Sequence, residues 1–178
     1  MAVTPTDLNY YKSSVTSTVG NTNGRTIESL GGDITNDRLI TGTFHNLFDS
    51  VTAAEAAAGR TEYRCIYVKN DNGLQTLYDA VFWISLAATG VDTLIEIAPD
   101  PAADDTTSAI ALVDEIDSTN QLAGITNWTQ APDEANAIQI GDLPAGRAKA
   151  IWVRRAITAG QPALTDSCIL SIRGDTDA

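Results

Sequence analysis

Few residues of this 178-residue chain are of types and spacings that could do chemistry. Nucleophilic catalysis needs a base beside an activated nucleophile. The one histidine, His45, stands among Phe44, Leu47 and Phe48, where a packing role is expected. Cys65 and Cys168 sit in strand-like runs, without the glycine-rich or helix-start context that activates a thiol. They read as two buried thiols acting as small hydrophobes, although a bridge between them is geometrically conceivable. The loop from Asp100 to Asp105 could offer carboxylates to Ca2+, but it lacks the alternating ligands and central glycine of an EF-hand loop. A solvated acidic loop is the expectation there. Paired carboxylates for glycoside hydrolysis would call for an aromatic-rich groove, and aromatics make up only 6% of the chain.

Arg173-Gly174-Asp175 and Asn127-Trp128-Thr129 match an adhesion tripeptide and a glycosylation sequon, strings that arise by chance in a chain of this length. Phosphate-cradling glycine loops and zinc spacings are missing, so no cofactor is expected. The positive charges that cluster are Arg147, Lys149, Arg154 and Arg155, on or beside one strand. They describe either an edge strand guarded by charge or a docking strip for an acidic surface, with Trp152 opposite Ile151 and Val153. With Trp83, on the less apolar face of its strand, and Tyr10 and Tyr11 near the N-terminus, the candidate partner-binding set is Tyr10, Tyr11, Trp83, Trp152, Arg154 and Arg155.

The elements that must carry these residues are mostly strands. Tyr63 to Val68 and Tyr78 to Leu86 are rich in β-branched and aromatic residues and flank an Asn/Asp/Gly cluster, which predicts a β-hairpin with Tyr78, Ala80, Phe82, Ile84 and Leu86 on its core face. Thr52 with Glu55 forms a capping box, the alanines after it propagate a short helix, and Gly59 stops it. Further strands are expected over 34–41, 93–98, 108–113, 135–140, 147–157 and 167–173. Residues 1–43, poor in large apolar side chains, predict an extended arm that orders by packing on something else, ahead of a sandwich domain at 44–178. Short strands with turn-rich connections and one helix predict a mainly β fold, an antiparallel β-sandwich of immunoglobulin-like or jelly-roll-like type.

The balance of 23 acidic against 11 basic residues gives a net charge of -12, which repels phosphate and argues against nucleic-acid binding. Eight of the acids fall between Asp92 and Asp117 with no base among them, predicting a negative, solvated surface. No stretch approaches the length of a membrane span and no signal sequence opens the chain, so no membrane partner is expected.

Three strings carry a resemblance. Phe48-Asp49-Ser50-Val51-Thr52 with Glu55 and Gly59, the run from Glu62 to Asn70, and Leu143-Pro144-Ala145-Gly146 leading to Ile151-Trp152-Val153-Arg154-Arg155 resemble virion structural proteins of tailed bacteriophages. The resemblance covers roughly residues 44 to 173 and transfers no functional residue, because these are strand-and-turn patterns. It implies a non-enzymatic building block made in the host cytoplasm and present in many copies on a virion, as a homo-oligomer bound to the major capsid protein or other virion proteins. A capsid decoration or cement protein is the favoured role, with a tail, baseplate or fibre-attachment adaptor next. A carbohydrate- or receptor-binding module is the reading from a different class.

Overall fold

The computed structural model describes residues 2–13, 29–43, 45–88, 90, 92–101, 122–160 and 167–176. The chain forms strands β1 (Leu8–Ser13) and β2 (Ile34–Arg38), helix α1 (Ala53–Ala58), then β3 (Arg60–Asn70), β4 (Leu77–Leu86), β5 (Thr93–Pro99), β6 (Ile138–Leu143), β7 (Ala148–Ile157) and β8 (Ile169–Asp175). Every strand pair is antiparallel, in a five-stranded sheet of order β2-β1-β3-β7-β5 and a three-stranded sheet of order β6-β4-β8. This is the antiparallel sandwich with one short helix that the turn-punctuated pattern implies. Among the described residues no helix is long and apolar enough to cross a membrane.

The main core lies between the sheets. Ile66, Val68, Ile97, Ile151 and Val153 from the larger sheet meet Leu77, Ala80, Phe82, Ile84, Ile140 and Leu143 from the smaller. A second apolar cluster covers the other face of the larger sheet, where Tyr63, Cys65, Tyr67, Ala150, Trp152 and Ile34 of β2 pack with Leu30 and Leu122 from the connecting segments. With both faces covered, β3 is buried without a break from Glu62 to Val68 and shows none of the alternation of a half-exposed strand.

The predicted hairpin is not formed. β3 pairs with β1 and β7, whereas β4 pairs with β6 and β8, so residues 71–76 carry the chain from one sheet to the other. Asn70 holds this crossing. Its Nδ2 donates to Gln75 O at 2.8 Å and Leu143 O at 2.9 Å, and its Oδ1 accepts from Asn72 N at 3.0 Å. A fully buried amide with donors and acceptor all satisfied fixes the loop at little cost.

The expectation of an arm over 1–43 is corrected for its described parts. β1 is paired along its length with β3, Leu8 opposite Asn70 through Lys12 opposite Ile66, and β2 extends the sheet from β1. The sheet therefore takes in residues that are too sparse in apolar side chains to make a core alone. Residues 14–28, the predicted strand at 108–113 and most of the acidic loop lie outside the described residues.

Helix α1 has the predicted ends: Thr52 Oγ1 accepts from Glu55 N at 3.3 Å and Glu55 Oε2 accepts from Thr52 N at 2.8 Å. Gly59 follows at φ +74°, with Ile157 O 3.0 Å from where a Cβ would stand. The strand expected at 135–140 starts later, because Asp133 caps a 3-10 turn at Glu134–Asn136 through its Oδ1 and Asn136 N. His45 is exposed, at φ +53°, rather than packed. The cysteines form no disulfide: Cys65 lies in the second cluster and Cys168 packs on the main core. Burial, reinforced by the charge of Asp100, pushes the Cys65 thiol well above its ordinary range, which leaves it unreactive.

Candidate functional site

Five of the six predicted partner-binding side chains are spent inside the fold. Tyr10, on β1, packs edge-on against Phe82 with ring centroids 6.0 Å apart and donates its hydroxyl to Leu170 O at 3.3 Å. Tyr11 points to the opposite face of β1, where its hydroxyl donates to Asp71 Oδ2 at 2.6 Å and Lys69 Nζ stands 5.4 Å from its ring centroid. Burial, the Asp71 hydrogen bond and the Asp71 charge together raise the Tyr11 pKa to about 12.

The Trp152 strip is a correction. Trp152 does oppose Ile151 and Val153, as the period of two requires, but its face is covered by the second cluster and it is 1% exposed. Arg154 and Arg155 are also committed. Arg154 Nε donates to Glu96 Oε2 at 2.9 Å on the neighbouring strand, and its guanidinium lies 4.7 Å from the Trp128 ring centroid. Arg155 Nε donates to Glu62 Oε2 at 2.7 Å, its Nη1 and Nη2 each donate to Asp49 O at 3.0 Å, and Phe48 stacks beneath it at 4.6 Å. β7 is no edge strand either, since it runs between β3 and β5. The charges follow from pairing across the sheet: Glu62 is directly opposite Arg155, and Glu96 directly opposite Arg154. That partnership is invisible without the register.

Trp83 is the one of the six whose side chain makes no hydrogen bond, ion pair or ring contact among the described residues. It lies on β4, the centre of the smaller sheet, pointing away from the core between buried Phe82 and Ile84, and is half-buried at the core's margin. Around it the outer face of β6-β4-β8 presents Val81, Ser85, Gln139, Ser171 and Arg173, Ser171 being directly opposite Trp83.

The edge of this face is shaped by a β-bulge at Tyr78–Ala80, where the register shifts against both β6 and β8. Asp79 takes φ +48° there and donates its amide to Asp142 Oδ1 at 3.1 Å. The bulge turns Tyr78 outward and lets Leu77 take the core position, so the predicted core face holds at Ala80, Phe82 and Ile84, while Tyr78 and Leu86 are exposed. Opposite it, Gly174 lies so close that a Cβ would stand 2.6 Å from Leu77 Cγ and 2.7 Å from Tyr78 O. The glycine of the Arg173-Gly174-Asp175 string is thus set by packing within a paired strand.

Asp79, Val81, Glu134, Arg173, Gly174 and Asp175 line a shallow notch of about 200 Å³ beside the bulge. It holds no serine, cysteine, histidine or lysine. Among the described residues no group of three or more metal-ligating side chains converges. What the face can do is bind: it offers a half-buried indole in a rigid sheet with carboxylates along one edge. The bulge residue Asp79 was missed by period-two reading, and the signal available for it is the break in apolar alternation at Leu77-Tyr78-Asp79-Ala80. Comparison of the chain with protein-family models, curated proteins and solved structures finds no match.

Proposed function

We propose that this chain is a non-enzymatic virion structural protein, a decoration or cement protein on the outer surface of a bacteriophage head, with the major capsid protein as its partner. One observation carries the reading beyond the strings themselves: the separate segments that resemble such proteins converge on the two ends of the β3–β7 pair. At one end, Lys69-Asn70 meets Leu143-Pro144-Ala145-Gly146, with Asn70 Nδ2 on Leu143 O at 2.9 Å and Gly146 N on Asn70 O at 2.9 Å. At the other, Phe48 and Asp49 close over Arg155 opposite Glu62. The similar residues therefore form one framework, and framework residues are what a shared building block would hold in common. A net charge of -12 suits an outer surface away from packaged DNA, and a closed sandwich with an aromatic-centred face suits docking.

The test follows a tagged chain through particle purification and locates it in a reconstruction. Retention in copy number comparable to the capsid subunit is the expected result. Absence from particles overturns the reading, and a few copies at the tail would move the protein to the adaptor role.

A further inference from the structure

We propose that the outer face of the β6-β4-β8 sheet, centred on Trp83, docks a basic protein surface. The sign of the partner comes from how charge is distributed over the fold. Among the described residues, Arg173 is the single basic side chain on the smaller sheet; the other lysines and arginines lie on β1, β2, β3, β7 or at their ends. On the larger sheet Lys12, Arg60, Lys69, Arg154 and Arg155 are matched by carboxylates, as in Lys12–Asp37 at 3.0 Å, Lys69–Asp71 at 2.7 Å and Arg154–Glu96 at 2.5 Å. On the smaller sheet Arg173 is taken by Glu134, and exposed Asp79, Asp142 and Asp175 have no ion pair among the described residues.

The two outward faces also differ in cover. The larger sheet hides its outer face under a second apolar cluster, whereas the smaller sheet leaves Val81 and Trp83 half-exposed, with unpaired carboxylates at one margin. An aromatic anchor in a rigid strand, rimmed by net negative charge, takes up an apolar contact at the centre and selects lysine- or arginine-bearing partners at the rim. The acidic partner expected for the arginine strip is thus replaced by a basic partner on the opposite side of the molecule. The inference rests on the reading that this protein acts by docking, and names the surface that does so.

The experiment titrates the isotope-labelled full chain at low salt with a short lysine- and leucine-rich peptide, with its glutamate counterpart as control, and follows amide and indole N–H shifts. The largest shifts are expected at Val81, Trp83, Ser171 and the Trp83 indole. The triple substitution Asp79→Asn, Asp142→Asn, Asp175→Asn should weaken binding about tenfold or more. Asparagine keeps an acceptor for the Asp79 amide at position 142 and tolerates the positive φ at 79, so the fold is retained. An equal change of charge off the smaller sheet, on β2 and around α1, Asp37→Asn, Asp49→Asn, Glu55→Gln, should change affinity less than about twofold. Equal weakening by both triples, or shifts centred away from Trp83, overturns the face. So does particle association unaffected by the first triple. Peptide binding at Trp83 without any particle association overturns the virion reading and leaves the face standing.

Discussion

Trp152 Nε1 donates to Asp100 Oδ2 at 2.7 Å, which ties the end of β5 to the middle of β7 beneath the second apolar cluster. Asp100 N donates to Ala150 O at 3.0 Å in the same place, so the junction is held by backbone and side chain together. Asp100→Ala should lower the unfolding free energy by about 1–3 kcal/mol, since it leaves a buried indole N–H without its acceptor. Urea denaturation reads this directly, and Asp100→Asn, which keeps an oxygen at that position, should lose less.

Asn70 is the second such tie. Removing its side chain strands two carbonyls, Gln75 O and Leu143 O, at the crossing between sheets. Asn70→Ala should cost about 1–3 kcal/mol for each carbonyl left unsatisfied. Asn70→Asp should be worse at neutral pH, because it turns a carboxylate toward both carbonyls, and should recover in part as acid protonates it. Thermal melts of the two variants between pH 4 and 7 distinguish the cases.

The Tyr11–Asp71 pair predicts where stability falls with pH. The Tyr11 proton is held to about pH 12 in the folded chain, against 10.0 for the ordinary phenol, so the unfolded state loses its proton first. Stability from this group is complete below pH 10 and is lost as pH rises to about 12. For Asp71, burial pushes the carboxyl up, but hydrogen bonds from Lys69, Tyr11 and Asn9 together outweigh it and hold it below the ordinary 3.8. Its contribution is present above that value and is lost as acid protonates the folded carboxylate. Tyr11→Phe should flatten the alkaline decline of the urea midpoint; an unchanged decline would assign it to other groups.

Much of the fold was legible because its signals are local. Thr52, Glu55 and Gly59 fix α1 within eight residues of chain, and the alternation at Ala80, Phe82 and Ile84 fixes the face of β4. What was illegible depends on partners distant in sequence. The Asn-Asp-Asn-Gly cluster after Asn70 permits a sharp reversal but cannot say whether the strands on either side of it pair with each other. β1 has too few large apolar residues to announce a core strand, and gains its place through β3 and through Tyr10 on Phe82. The arginines of β7 looked available because Glu62 and Glu96 are remote in sequence and adjacent only in the sheet. One clue to Trp152 was present: Ala150-Ile151-Trp152-Val153 is an unbroken apolar run, the pattern of a strand covered on both faces.

The glycine at position 174 supplies a test of packing against the adhesion-like string it belongs to. A methyl at this position would meet Leu77 Cγ at 2.6 Å and the Tyr78 carbonyl oxygen at 2.7 Å, and the carbonyl belongs to the bulged backbone. Gly174→Ala should therefore destabilise the chain by about 1–3 kcal/mol through overpacking. Asp175→Glu, in an exposed position on the same strand, should leave stability within about 0.5 kcal/mol.

Arg155 decides whether the β7 arginines serve the fold or a partner. Its guanidinium bridges Glu62 and Asp49 O and rests on Phe48, so it joins the segment before α1 to the centre of the larger sheet. Glu62 is 5% exposed, and cutting away Arg155 leaves that carboxylate buried with Arg60, at 3.4 Å, as its one remaining ion-pair partner among the described residues. Arg155→Ser should cost about 3–5 kcal/mol, as for other buried pairs that lose one partner. Arg154→Ser, whose pair with Glu96 is more open to solvent, should cost less. A docking role would give the opposite pattern, with stability kept and binding lost in both variants. Denaturation midpoints measured beside peptide affinity separate the two.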